Sequence, residues 1–104
     1  MTVFGLLRVT PVTDEDITAD VAAAVETLEE YDVSYETTPM ATTIEAEEVQ
    51  ELFAACAAAH EAVDHPHVQT LVQVDEKPDP EMRASDKVDA VEEELGRSAT
   101  SERE

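Results

Sequence analysis

Four stretches of the chain alternate apolar and polar side chains with a period of two, which predicts β-strands. They are Val3–Val12, the two arms of Val33–Glu45, and Val68–Asp75. Within Val33–Glu45 the chain reverses direction at Pro39 and Met40, so this stretch is predicted to be a β-hairpin. Val, Tyr, Thr and Ile dominate its arms, and these residues pack well on a pleated sheet.

Three other stretches place apolar residues three or four positions apart, the spacing of one helix face. Thr18 is the predicted N-cap of the first helix, and Glu47 and Glu48 give the second a favourable negative charge at its N-terminus. The third runs from Ser85 to Gly96, a residue that readily adopts the left-handed cap conformation. The stripes are Val21, Ala24, Val25 and Leu28; Val49, Leu52, Phe53, Cys56, Ala59, His60 and Val63; and Val88, Val91 and Leu95.

The order strand, helix, strand, strand, helix, strand, helix predicts an α+β fold. It is typical of the ferredoxin-like βαββαβ sandwich, a four-stranded antiparallel sheet, here with an extra C-terminal helix. Two right-handed crossovers would place the first two helices on one face of the sheet. A chain of 104 residues suits one domain. We expect that domain at residues 1–96 and a disordered acidic tail at 97–104.

Strand alternation also determines which residues should lie on the sheet face away from the two crossover helices. They are Phe4, Leu6, Arg8, Glu36, Thr43, Glu45, Leu71 and Gln73. Because the first and third strands are central neighbours in this topology, we expect Arg8 and Glu45 to lie within reach of each other. Phe4, Leu6 and Leu71 would together form an apolar patch on this face, and such a patch on a monomer usually marks an interface. We therefore expect a homo-oligomer packed through its sheet faces.

The net charge of the chain limits which binding partners and which cellular environment are expected. The formal net charge is -20, from 26 acidic and 6 basic residues, which disfavours nucleic acid as a partner. Like-charge repulsion would oppose folding except in concentrated salt, where the Debye length falls to about 3 Å at 1 M. The composition resembles that of haloarchaeal cytosolic proteins, and a DNA mimic is a rival interpretation. Since no leader or membrane-length apolar run is present, we expect a cytoplasmic protein without a membrane partner.

Catalytic and metal chemistry find little support in the sequence. His60 lies in a helix stripe while His65 and His67 flank Pro66 beyond its end, so three convergent imidazole ligands are not expected. Cys56 and His60 share a core-facing stripe, where a nucleophilic pair would lack access to substrate. Only two glycines occur, and no phosphate-binding loop is present. We predict no metal, no cofactor and no enzymatic activity.

Three segments together resemble the small thiamine-binding-protein family related to the YkoF proteins. They are Val21–Glu29, the hairpin segment Tyr35–Glu45 with its Pro-Met-Ala-Thr-Thr-Ile-Glu run, and Ala59–Val63. The resemblance spans roughly Val3 to Leu95. It implies a ferredoxin-like domain that assembles through its sheets into dimers or tetramers. It also implies binding of thiamine or its pyrimidine moiety without catalysis.

The hairpin offers residue types that suit such a ligand. Thiamine carries a cationic thiazolium and an aminopyrimidine, whose nitrogens can pair with carboxylates and hydroxyls. The candidate ligand-binding residues are Glu45, Thr43, Glu36, Arg8, Thr42 and Met40. Arg8 has the wrong sign for the thiazolium and suits either an ion pair with a carboxylate or the phosphate of a thiamine ester.

The sequence therefore predicts a non-catalytic, oligomeric binder of thiamine or a related pyrimidine, such as hydroxymethylpyrimidine or thiamine phosphate. The alternative is a structural or regulatory oligomerisation domain that has no small-molecule ligand. A small hydrolase is disfavoured, because no backbone loop suited to cradling an anion is present. The position of the ligand pocket is left open between the outer sheet face, an oligomer seam and the vicinity of His60 and Met40.

Overall fold

A computed structural model describes residues 2–77 and 83–101 of the chain. The elements are β1 (Thr2–Pro11), α1 (Thr18–Thr27) with a 3-10 turn at Leu28–Glu30, β2 (Ser34–Thr37), β3 (Thr42–Ala46), α2 (Val49–Glu61), β4 (Val68–Lys77) and α3 (Ala84–Leu95). The strands form one antiparallel sheet in the order β2-β3-β1-β4. This confirms the predicted α+β ferredoxin-like fold and its extra C-terminal helix. The domain limits and the disordered tail stay predictions, and residues 102–104 lie outside the described ranges.

One hydrophobic core joins α1 and α2 to a single face of the sheet. Its residues are Val3, Leu7, Val9, Ala24, Leu28, Ile44, Ala46, Leu52, Ala55, Cys56, Ala59 and Val63. Gly5 lies in the middle of β1 beneath Leu52, and a Cβ at Gly5 would lie only 2.8 Å from Leu52 Cδ1. The absence of a side chain at Gly5 thus lets α2 approach the sheet closely.

The buried face of α2 is rotated from the predicted one. Phe53 is 50% exposed and His60 is also exposed, whereas Ala55 is fully buried. Small residues at Ala55 and Ala59 allow close packing of the helix against the sheet, and the bulkier Phe53 points away from it. The predictions that Phe53 and His60 face the core were therefore wrong.

Of the two predicted helix caps, the C-terminal cap of α3 is confirmed and the N-cap of α1 was wrong. Thr18 was predicted to be the N-cap of α1, but it is the first helical residue and Ile17 occupies the cap position. Instead, the Oδ1 atom of Asp16 accepts hydrogen bonds from the backbone N–H (3.0 Å) and the hydroxyl (2.7 Å) of Thr18. These bonds lower the pKa of Asp16. Gly96 ends α3 at φ 71°, as predicted.

The sheet face predicted to be bare is partly covered by α3. Lys87 Nζ lies 2.6 Å from Asp75 Oδ2 and 4.2 Å from the centroid of the Phe4 ring. As a result Phe4 is only 8% exposed, while Leu71, further along the face, is 52% exposed. The apolar patch expected from Phe4, Leu6 and Leu71 is therefore smaller than predicted.

Candidate functional site

A cavity of about 240 Å³ lies between α1 and the sheet, at the end where the β2–β3 hairpin turns. Its walls come from the end of β1, from one face of α1 and from the hairpin turn. They are Leu7, Arg8, Val9, Thr10, Ile17, Val21, Ala24, Val25, Thr37, Thr38, Pro39, Met40, Ala41 and Thr42. The cavity is half-enclosed and large enough for a small heterocycle.

The cavity exists because two strand ladders end at different points. Pairing between β1 and β3 stops at Leu7 opposite Thr42, whereas pairing between β1 and β4 continues to Pro11 opposite Val68. Beyond Leu7, the hairpin has left β1 to turn into β2. The space beside Val9 therefore has no strand to fill it, and α1 covers this space from one side.

Thr38 holds the hairpin turn at the cavity rim in a defined shape. Its backbone N–H and its hydroxyl both donate to the carbonyl oxygen of Ala41, at 2.8 and 2.7 Å. The N–H of Ala41 donates back to Thr38 Oγ1 at 3.2 Å. At the tip Met40 is 74% exposed, so a flexible apolar side chain stands at the entrance.

Threonines supply most of the polar side chains in the cavity wall, and two of these threonines face each other across the hairpin. Thr37 Oγ1 and Thr42 Oγ1 lie 3.1 Å apart, and Thr42 is only 6% exposed. One hydroxyl donates to the other, so the accepting hydroxyl keeps its own proton for a further bond. Ile17, Val21 and Val25 make much of the remaining wall apolar, and no carboxylate belongs to the described lining. Such a site suits a neutral, flat group with a few hydrogen-bonding atoms.

The structure divides the six predicted site residues into two groups. Arg8, Met40 and Thr42 line the cavity. The other three lie on a shallow groove of the opposite sheet face: Glu36, Thr43 and Glu45. Consecutive residues of a strand point to opposite faces, so Thr42 and Thr43 cannot contribute side chains to the same site.

The expectation that Arg8 and Glu45 lie within reach of each other was wrong. Glu45 is paired across the sheet with Phe4, and four residues along a strand span about 13 Å. Glu45 Oε1 instead forms an ion pair with Arg83 Nε at 2.9 Å. Arg83 directly precedes α3, and no sequence pattern links it to a strand 38 residues earlier. Arg8 is exposed and forms no ion pair within the described chain.

The histidines and the cysteine hold ordinary structural positions. His60 Nδ1 is hydrogen-bonded to the hydroxyl of Thr70 on β4, and His65 Nδ1 contacts the backbone of His67. Across residues 2–77 and 83–101, no three His, Cys, Asp or Glu side chains are grouped as a metal site requires. Burial of Cys56 raises the pKa of its thiol to about 11, so the thiol is protonated at neutral pH. None of the helices in the described ranges has the length and apolar character needed to cross a membrane.

Together, the antiparallel sheet, the two helices on one face and the half-enclosed apolar cavity define a ferredoxin-like domain with room for a small molecule. Residues 6–92 match the sequence profile of the family described as Thiamine-binding protein. This match covers most of the chain. The chain belongs to the thiamine-binding protein family.

The chain is also similar to a curated relative and to solved structures. The UPF0045 protein of Methanothermobacter thermautotrophicus is 42% identical over 78 residues, which are 72% of this chain and 79% of the relative. A hypothetical protein of Methanocaldococcus jannascii superposes with a TM-score of 0.81 at 27% identity, over 88% of this chain and 97% of that one. A candidate thiamine biosynthesis/salvage protein of Thermotoga maritima gives a TM-score of 0.73 at 19% identity, over 88% and 99% of the two chains. This last likeness shows the shared fold alone.

Proposed function

We propose that the protein binds thiamine or a related pyrimidine, such as hydroxymethylpyrimidine or thiamine phosphate, without catalysing a reaction on it. The observation that carries this proposal is the apolar cavity with its threonine pair in a chain of the thiamine-binding protein family. Apolar walls suit an aromatic ring, and the hydroxyl of Thr37 or Thr42 suits a ring nitrogen or a ring substituent.

Other groups at the cavity are consistent with the remaining parts of the ligand. Met40 stands exposed at the rim, where its thioether can cover the face of a bound ring. Arg8 borders the cavity, but strand alternation directs its exposed side chain to the sheet face opposite Leu7 and Val9, so its guanidinium would meet the phosphate of a thiamine ester only if that phosphate extends around the end of the sheet. Thiazolium, the cationic part of thiamine, would extend into solvent, because no carboxylate belongs to the described cavity lining.

The groove that contains Glu36, Thr43 and Glu45 is a second position for the ligand. Its carboxylates are negatively charged and would attract a cationic ligand, which is why the hairpin sequence predicted a site there. However, Arg83 already neutralises Glu45, so a cationic ligand would first have to displace the guanidinium. The groove is also more open than the cavity, so it would enclose a bound ring less completely. These two features favour the cavity.

A pair of adjacent threonines tests the proposed site. Thr42→Val keeps the side-chain volume but removes the hydroxyl in the cavity, so we expect thiamine affinity to fall about 3- to 10-fold, the worth of one hydrogen bond. Thr43→Val is the matched control, because it makes the same change on the other sheet face. Calorimetry in concentrated potassium chloride, with thiamine, thiamine phosphate and hydroxymethylpyrimidine, measures both variants.

The outcomes separate the alternatives. If Glu45→Gln weakens binding and Thr42→Val does not, the groove rather than the cavity holds the ligand. If the wild-type protein binds none of the three compounds, the small-molecule proposal is wrong. A structural or regulatory oligomerisation domain would then be the better description.

Assembly belongs to the same proposal. We expect a dimer or tetramer formed through the sheet face that carries α3, in the salt-rich cytoplasm indicated by the composition. No residue of α3 is buried, and its apolar stripe of Val88, Val91 and Leu95 is about half exposed. Leu71 on the sheet is 52% exposed on the same side. An amphipathic helix with an uncovered stripe is typical of a surface that packs against a second copy.

A further inference from the structure

The backbone N–H and C=O groups of β1 alternate in direction along the strand, and this alternation determines which residues direct these groups into the cavity. The N–H of Val12 donates to the carbonyl of His67 at 2.8 Å, which continues the β1–β4 register by one pair. Backbone groups of successive strand residues alternate between the two neighbouring strands. The backbone N–H and C=O groups of even-numbered β1 residues therefore point toward β4. Those of odd-numbered residues, among them Leu7 and Val9, point toward β3.

Val9 is the first odd-numbered residue of β1 beyond the end of the β1–β3 ladder. That ladder ends with Leu7 opposite Thr42, and continuing its register would pair Val9 with Met40. Met40 has already entered the hairpin turn, where its own N–H is directed at Thr38 Oγ1. Among the described residues, no backbone or side-chain group forms a hydrogen bond with the N–H or the carbonyl of Val9 on this side.

This position is unusual because Val9 is buried. Val9 is 7% exposed and lines the cavity. Buried backbone N–H groups almost always have a partner, and an unpaired one costs about 1–3 kcal/mol. The next odd-numbered residue of β1 is Pro11, which has no backbone N–H. Val9 is thus the single unpaired backbone donor that β1 presents along this described edge.

We infer that the backbone of Val9 is the recognition edge for the ligand's aminopyrimidine. The N–H and C=O of one extended residue point the same way, so they match a flat group that carries an acceptor beside a donor. In a 4-aminopyrimidine, the ring nitrogen accepts from the Val9 N–H and the amino group donates to the Val9 carbonyl. This inference rests on the proposed function and adds the chemical feature of the ligand that the cavity selects.

Amide measurements by NMR test the inference without altering the backbone. On addition of 4-amino-2-methylpyrimidine in concentrated potassium chloride, the Val9 amide should shift and its hydrogen exchange should slow by about tenfold or more at saturation. The amides of Leu7 and Arg8 are internal controls, because the sheet ladders already bond them and their exchange should change little.

A matched ligand, 2,4-dimethylpyrimidine, replaces the amino group by a methyl of similar size. It should bind about tenfold more weakly or worse, because the Val9 carbonyl loses its donor. Equal affinity of the two pyrimidines, or an unmoved Val9 amide, would overturn the inference while leaving pyrimidine binding intact. If neither pyrimidine nor thiamine binds, the proposed function fails and the inference fails with it. A Val9 amide that is already protected in the free protein, and more so at higher protein concentration, would assign this edge to a second copy instead.

Discussion

Neighbouring residues of β3 have different surroundings although their sequence is nearly uniform. Thr42 is 6% exposed and bonds to Thr37 Oγ1 beside the cavity, whereas Thr43 is exposed on the other face and its hydroxyl donates to the carbonyl of Glu36 at 3.3 Å. The strand pleat alone separates them. Single-residue tests of binding are therefore meaningful here, because a change at either threonine affects one sheet face only.

Cys56 gives a residue-scale prediction about reactivity. Burial raises its pKa from 9.0 to about 11, and the side chain is 3% exposed. Since the thiolate is the nucleophile, we expect iodoacetamide at pH 8 to label folded protein at least 100-fold more slowly than unfolded protein. Mass spectrometry with and without denaturant, at constant salt, measures both rates. Rapid labelling of the folded state would contradict the buried position.

The same shift implies a loss of stability in alkali. In the folded state Cys56 holds its proton more tightly, so its contribution is fully present below the unfolded pKa of 9.0. It decreases as the pH rises from there through about 11, because the unfolded thiol ionises first.

At the scale of elements, α3 differs from α1 and α2 in how it is held. The crossover helices are anchored by buried apolar residues, whereas α3 is joined to the sheet by the Arg83–Glu45 and Lys87–Asp75 pairs and by Lys87 over Phe4. Exposed ion pairs contribute little and are screened by salt. In concentrated salt, α3 should therefore depend on apolar contacts with another surface.

Lys87 is the residue with which to test the docking of α3. Its ammonium group lowers the pKa of Asp75, so that contribution to stability is present above the unfolded pKa of 3.8 and is lost as the pH falls through the lower folded value. We expect Lys87→Gln to raise the pKa of Asp75 and to increase hydrogen exchange in α3, both measured by NMR at low salt. Lys77→Gln is the comparison variant: Lys77 acts on Asp75 only through a weaker charge attraction without a hydrogen bond, so its loss should raise the Asp75 pKa less than the loss of Lys87 does. An unchanged Asp75 titration would show that Lys87 does not hold the helix there.

For the whole molecule, the dominant property is charge. With 26 acidic residues against 6 basic ones, repulsion favours expansion at low ionic strength, and salt screens it. The melting temperature should therefore fall strongly as potassium chloride is lowered from several molar to about 0.1 M, where the Debye length is about 10 Å. Differential scanning calorimetry measures this dependence. A melting temperature that does not vary with salt would contradict the halophilic prediction.

Assembly is the second property at this scale. Leu71→Glu places a charge in the exposed apolar surface of the sheet, and we expect it to lower the mass measured by light scattering in concentrated salt. Phe53→Glu is the matched control, because Phe53 is equally exposed on α2, on the opposite side of the sheet. A wild-type monomer, or equal effects of the two changes, would rule out the sheet face as the interface.

The sequence by itself determined the fold and the direction of most strand side chains. Period-two alternation assigned Leu7 and Val9 to the core and Thr43 and Glu45 to the other face, since these properties follow from local geometry. Tertiary structure alone decided the rotation of α2, which exposes Phe53, and the pairing of Glu45 with Arg83 rather than Arg8. It also decided the cavity. Strand propensity does not specify where one ladder stops relative to another. The unpaired backbone of Val9 exists only because the β1–β3 ladder stops at Leu7, two residues before Val9.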